Sequence, residues 1–176
     1  MKIVVVDSSS LILLTKCDLL EMLTEKYQVI IPDEVYKECV NEDTLKRFPD
    51  ASIIENLVVH GKIEKRKATD KTIVSPVSLA SGEHKAIALS LSIKGSILLT
   101  DDGNAIKACR YFKKTFIVSP RVVLILYKNR IIEYAKAKRA LEILRIYGRY
   151  SPDIIAEAMI EIEKIREEGG KDVSAS

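Results

Sequence analysis

Five carboxylates, Asp7, Glu38, Glu83, Asp101 and Asp102, are the residues of this chain whose type and placement suit chemistry. Asp7 closes an unbroken β-branched run, Ile3-Val4-Val5-Val6. Such a run reads as a strand buried on both faces of a parallel sheet, and the carboxyl end of a central strand is where open α/β sheets bind ligands. Asp101 and Asp102 close a second short apolar run over residues 97–100. Glu83 falls in the first turn of a helix opened by Ser81 and Gly82, and Glu38 about a turn and a half into a helix started by Pro32 and Asp33. Taken singly, Asp7 reads equally well as a helix cap, Glu83 as a partner for a helix dipole, and Glu34 as a plain solvated acid. Taken together, they converge on one rim. Bare carboxylates in one crevice repel, so some hold protons near neutral pH, and a divalent cation relieves this. An all-oxygen donor set without His or Cys suits a hard ion, Mg²⁺ or Mn²⁺. One such ion, or a pair about 4 Å apart, can activate water and stabilise the leaving oxygen of a phosphodiester.

The elements that must position these acids follow from apolar spacing. Leu11, Ile12, Leu14, Leu19, Leu20 and Leu23 predict one helix over residues 9–27, with serines 8 to 10 as its caps. A short strand over 29–31 follows, then the Pro32 helix with Val35, Cys39 and Val40 inward. A helix over 50–60 is stopped by Gly61, and 63–68 is a candidate edge strand with a solvated basic face. Residues 71–79, interrupted by Pro76, read as a loop. After the Ser81 helix and the 97–100 strand come a helix to Phe112, a strand over 115–118 and a helix from Ser119, whose Ser-Pro pair is a cap signal, as is Ser151-Pro152. Two more helices, about 134–147 and 152–167, lie beyond the last strand, and the polar tail 168–176 is expected to fray. Alternation of strand and helix means a three-layer α/β/α sandwich on a central parallel sheet, plus C-terminal helices.

At 176 residues the chain fits one ordinary domain. A net charge of +3 argues for no partner by itself, but between Gly103 and Arg149 twelve Lys and Arg face only Glu133 and Glu142. Tyr111, Phe112, Tyr127, Tyr134, Tyr147 and Tyr150 interleave with that basic stretch, which suits either RNA contact or core edges beneath a solvated face. Cys17, Cys39 and Cys109 are widely spaced, with no CxxC pair, and read as buried free thiols of a cytoplasmic protein. Signal-peptide order and membrane-length apolar runs are absent from the sequence, so no membrane partner is expected. Neither GxGxxG nor GxxxxGK occurs, which excludes the common nucleotide-binding loops. His60 and His84 lack partner spacing and read as surface residues.

Four segments in order carry a family likeness: strand-Asp7-Ser8-Ser9, then Ile31-Pro32-Asp33-Glu34-Val35-Tyr36-Lys37-Glu38, then Ser81-Gly82-Glu83-His84-Lys85-Ala86, then Leu98-Leu99-Thr100-Asp101-Asp102-Gly103-Asn104. The chain resembles the PIN-domain proteins over roughly residues 1–130, closest to the prokaryotic branch similar to the ribonuclease toxins of toxin–antitoxin modules. The resemblance implies Mg²⁺- or Mn²⁺-dependent cleavage of single-stranded RNA. It puts the family's acids at Asp7, Glu38, Glu83 and, through a Thr-x-Asp pattern, Asp102, with Asp101 in the variable slot beside the metal. Ser9 and Asn104 are expected to support the ligands, and a small antitoxin is the protein partner the toxin branch implies. His84 after the Gly-Glu pair and Ser119-Pro120-Arg121 after the last strand depart from the family's usual pattern, the second affecting the substrate-side wall.

The organisation expected is therefore a PIN-like nuclease domain over 1–130, a helical extension over 131–167 packed on it, and a flexible tail over 168–176. The stripe Ile154, Ile155, Ala158, Met159, Ile162 and Ile165 suits either a homodimer or partner face, or packing on its own domain. The competing functional reading is a PIN-like module that binds RNA or a protein without cutting.

Overall fold

A computed structural model describes residues 1–68 and 73–173, with side chains to residue 168. The five strands β1 (Ile3–Val6), β2 (Gln28–Pro32), β3 (Ile63–Arg66), β4 (Ile97–Leu99) and β5 (Phe116–Ile117) form one sheet in the order β3-β2-β1-β4-β5, every pair parallel. Val4, Val5 and Val6 are fully buried because helices cover both faces of the central strand. The fold is the expected three-layer α/β/α sandwich. Strand order runs outward from β1 to β2 and β3, then reverses to β4 on the other side of β1. That reversal opens a crevice between the carboxyl ends of β1 and β4, the usual ligand position in open α/β sheets.

The helices are α1 (Ser8–Lys16), α2 (Leu20–Lys26), α3 (Asp33–Cys39), α4 (Glu42–Arg47), α5 (Pro49–Val59), α6 (Ser81–Ser92), α7 (Gly103–Tyr111), α8 (Ser119–Lys128), α9 (Tyr134–Tyr147) and α10 (Pro152–Val173). The single helix expected over 9–27 is two. Asp18 takes a left-handed φ of 54°, and the N–H groups of Asp18 and Leu19 return to the carbonyls of Thr15 and Leu14, a Schellman stop. Lys113 and Arg130 end α7 and α8 the same way, and Gly61 ends α5. Only the last of these stops carries glycine, so the spacing of leucines ran through the first. The sequence also missed α4, although Asn41 caps it through the N–H groups of Asp43 and Thr44.

Helix α10 continues past the expected end at residue 167 to Val173, and residues 174–176 of the expected tail lie outside the described residues. Of the expected loop over 71–79, residues 71 and 72 lie outside them too, and 73–79 hold neither helix nor strand. Helices α8, α9 and α10 pack on one another and reach α1, with Ile155, Ala158 and Ile162 buried, so part of the apolar stripe of α10 faces its own chain. Ile154 and Ile160 stay exposed. All three cysteines are free and buried, and burial pushes their thiols up, Cys17 and Cys39 to about 12 and Cys109 to about 11. Among the described residues no helix is long and apolar enough to cross a membrane.

Candidate active site

The end of β1 places Asp7 in the crevice floor, fully buried. It caps α1: Oδ1 accepts the Ser10 N–H at 2.9 Å and the Ser9 hydroxyl at 3.0 Å, while Oδ2 accepts the Thr100 hydroxyl. The serines expected as caps thus serve acids instead, since Asp7 itself occupies the cap position and Ser8 donates to Glu38 Oε2. Burial is the largest influence on Asp7 and raises its carboxyl from the usual 3.8 to about 6; the Thr100 and Ser10 donors offset part of this, and the charge of Asp101 adds to it. Thr100, fully buried at the end of β4, also accepts the Asp102 N–H at 3.3 Å. One hydroxyl therefore ties the floor acid to the backbone of the rim acid. That is the physical content of the Thr-x-Asp pattern.

Asp102 caps α7, its Oδ1 taking the N–H groups of Asn104 and Ala105, both at 2.8 Å. Its second oxygen has no hydrogen bond among the described residues, and the residue lines a cleft of about 410 Å³ together with Ser9 and Glu83. Asp101, one residue earlier, lines the same cleft, but its carboxylate oxygens are engaged. Its Oδ1 accepts the Ser119 N–H at 2.7 Å and the Tyr150 hydroxyl, and its Oδ2 the Ser119 hydroxyl at 2.5 Å. The cap of α7 is thus Asp102, and Ser119, expected as the cap of α8, is instead its first residue, turned toward Asp101. Tyr150 remains a donor, because burial first and the neighbouring Asp101 charge second push its hydroxyl above its usual range.

Glu38 reaches the rim from α3 and is held at the start of α6 by the Gly82 N–H, which donates to Oε1 at 2.9 Å. Gly82 admits this because it has no side chain: a Cβ there would lie 2.3 Å from Glu38 Oε2. Glu83 is half-buried and accepts the Ala80 N–H at 2.9 Å, pinning the first turn of α6. Its carboxyl is raised mainly by burial, with Asp102 and Glu38 adding their charges. Those two contributions place three acids from α3, α6 and the end of β4 in one electrostatic neighbourhood. Asn104 donates its side-chain amide to the Ser78 carbonyl at 3.2 Å and so ties α7 to the segment before α6. His60 and His84 are spent on the carbonyls of Asn56 and Ile73.

Sequence reasoning expected Asp7, Glu38, Glu83 and Asp102 in one crevice; Glu83 and Asp102 line the cleft with Asp101, Glu38 lines an apolar cavity beside it, and Asp7 is buried at the end of β1. It missed what holds these acids: Thr100, Ser8 and Gly82. It also missed the rest of the lining: Lys16 from α1 and Tyr147, Gly148 and Arg149 from the α9–α10 turn share the cleft with Glu83, Asp101 and Asp102. The apolar cavity, of about 250 Å³, lies on the other side of Lys16, whose ammonium is bound to Asp50 at 2.5 Å.

Whether a divalent ion suits this site is decided by its donors. Among the described residues none of the five acids is in an ion pair. The donor set is carboxylate throughout, as Mg²⁺ or Mn²⁺ prefers. Among the described residues no three such side chains are gathered into a ready-made ion-binding group, so the fit is one of donor type and neighbourhood. Residues 3–164 match a family model described as a PIN domain. No curated protein matches the chain.

Proposed function

The chain belongs to the PIN-domain family, a nuclease fold, and from that premise we propose that it is a metal-dependent endoribonuclease that hydrolyses phosphodiester bonds of single-stranded RNA. The observation that carries this reading is the neighbourhood of Glu83 with Glu38 and Asp102 at the sheet's reversal point, where among the described residues none of these acids is in an ion pair. Asp7, Glu38, Glu83 and Asp102 are the residues that would hold Mg²⁺ or Mn²⁺, with Asp101 beside them. When bound, the ion supplies Lewis acidity at the scissile phosphate and lowers the pKa of the attacking water.

The chain's own residues set the stage. Thr100 fixes Asp7 relative to Asp102, Ser8 and Gly82 hold Glu38 at the rim, and Ser9 keeps the Asp7 oxygen oriented. Asp101 uses its oxygens on Ser119 and Tyr150 and keeps α8 in place. The basic stretch Gly103 to Arg149 supplies the cations that draw a phosphate chain toward an acidic centre. The toxin of a toxin–antitoxin module is the finer form of this proposal, resting on the motif likeness of residues 1–130 alone. Incubating the protein with a labelled single-stranded RNA, with Mn²⁺ or with EDTA, tests the reading. Cleavage only with Mn²⁺ supports it, and an intact strand in both leaves the binding module.

Two further outcomes are expected. Adding millimolar Mn²⁺ should raise the melting temperature, because an ion that binds only the native state stabilises it by mass action, about 2.7 kcal/mol at a hundred times its dissociation constant. A melting curve indifferent to Mn²⁺ would count against the site. Gly82→Ala should cost at least about tenfold in cleavage rate, since an outer contact on a ligand is typically worth 10- to 100-fold. Its effect on melting should be under about 1 kcal/mol, because what the new Cβ displaces is the mobile end of Glu38 and Ala favours a helix. Unchanged cleavage would show that Glu38 need not sit at Gly82.

A further inference from the structure

Part of the lining of the acid-bearing cleft comes from the part of the chain that follows the last strand. Gly148, between α9 and α10, lets the chain turn sharply there: a Cβ on it would lie 2.4 Å from the Tyr150 ring and 2.6 Å from the Leu144 carbonyl oxygen. Tyr150 then plunges to Asp101 and anchors the turn to the rim of the sheet. The anchoring leaves Tyr147 and Arg149, both exposed, on the cleft that Glu83, Asp101 and Asp102 also line.

The other aromatic residues of the basic stretch do not line this cleft, although Tyr111 is as exposed as Tyr147. Tyr127 and Tyr134 pack on each other, Tyr134 also lies under the Arg166 guanidinium, and Tyr111 stands edge-on to Phe112. Tyr147 has 60% of its surface exposed, with the Lys16 ammonium 5.5 Å from its ring centre. The cations differ in the same way. Arg121 and Arg145 are bound to Glu161 and Glu142, and Lys16 to Asp50, whereas Arg149 has no ion pair or hydrogen bond among the described residues. An exposed aromatic face beside an uncommitted guanidinium, in a cleft of about 410 Å³, fits a base and its phosphate.

We propose that the α9–α10 turn is a nucleotide-docking wall: Tyr147 stacks on one unpaired base of the strand, and Arg149 takes the phosphate beside it, in the cleft that the acids also line. This deepens the ribonuclease reading and rests on it. A base held in a duplex cannot offer its face to Tyr147, so the wall selects single strands. The contact is to a face and a phosphate, which every nucleotide has, so base preference at this position is weak.

The test measures binding separately from cleavage, on the full chain. In an Asp7→Asn background with Mg²⁺, fluorescein-labelled oligouridylate is titrated by anisotropy, alongside a strand of equal length made of base-free ribose phosphate. Tyr147→Ala should weaken oligouridylate binding by about 5- to 100-fold, Tyr147→Phe should restore it, and the loss should vanish on the base-free strand. Arg149→Gln should weaken both strands and reduce the slope of log K against log salt by about 0.7. Tyr147→Ala binding within twofold of its parent, or losing equally on both strands, overturns the wall. If the unaltered protein cleaves RNA while Tyr147→Ala binds normally, the wall fails and the nuclease reading stands. Loss of binding in the variants of a protein that never cleaves keeps the wall and removes the nuclease. Binding of neither strand removes the wall, and cleavage by the unaltered protein then decides the nuclease reading.

Discussion

Replacing Asp7 by Asn should leave the protein folded, make it more stable at neutral pH without added metal, and reduce RNA cleavage by at least about a hundredfold, since loss of a ligand should exceed loss of an outer contact. The stability gain follows from the buried carboxyl. Its pKa rises from 3.8 to about 6 on folding, chiefly through burial, so the unfolded chain releases this proton first as pH increases. Between about pH 4 and 6 the folded state therefore binds more protons than the unfolded state, and stability falls as pH rises through that window. Above it the whole penalty persists, roughly two pKa units or about 3 kcal/mol. Asparagine removes the charge and keeps an acceptor for the Ser10 N–H, while its amide can donate to the Thr100 hydroxyl. Metal-free melting of the two proteins should accordingly differ most at pH 7 and converge near pH 4. Mn²⁺ should stabilise the parent and not the variant. A variant that cleaves RNA at the parent's rate, or melts below it at pH 7 without metal, would remove Asp7 from the site.

Asp102→Asn should cost at least about tenfold more activity than Asp101→Asn, with the stability effects in the opposite order. At position 102 asparagine still accepts the two N–H groups of α7, and Asn caps a helix as well as Asp does, so melting should move by less than about 0.5 kcal/mol. What disappears is the anionic oxygen facing the cleft. At position 101 the carboxylate accepts three donors from Ser119 and Tyr150, and weakening charge-assisted, part-buried bonds costs about 1–3 kcal/mol. Asp101→Asn should therefore melt lower yet retain most of its Mn²⁺ response, and Asp102→Asn should lose that response. Cleavage and melting measured on both variants decide the matter. Equal activity losses, or a larger loss at 101, would make Asp101 the ligand and Asp102 only a cap.

The sheet was legible because its central strands are short apolar runs, β3 a charged edge strand, and each parallel crossover demands a helix, so β1, β4 and their terminal acids follow from composition and chain order. The helix boundaries were less legible where the stop is not glycine. Asp18 ends α1 in the left-handed region through backbone bonds that leucine spacing does not encode. The serines after Asp7 illustrate a second limit. Ser8, Ser9 and Ser10 suit a cap by type, but which residue caps depends on where the helix starts, and a shift of one residue sends the Ser8 hydroxyl to Glu38 and the Ser9 hydroxyl to Asp7.

The sequence by itself determined the fold class, the acids at the strand ends and their ordering, because these rest on local patterns of period two and 3.6 and on the rule that strand termini bind ligands. Tertiary structure alone decided how Asp101 and Asp102 divide their labour and what shares the cleft with them. Those outcomes depend on contacts across long stretches of chain: Tyr150 meets Asp101 over 49 residues, Gly82 meets Glu38 over 44, and the Tyr147–Arg149 turn reaches the cleft only because α9 and α10 pack back on α8 and α1. No periodicity records such meetings, since they are fixed by which helix faces close over the sheet.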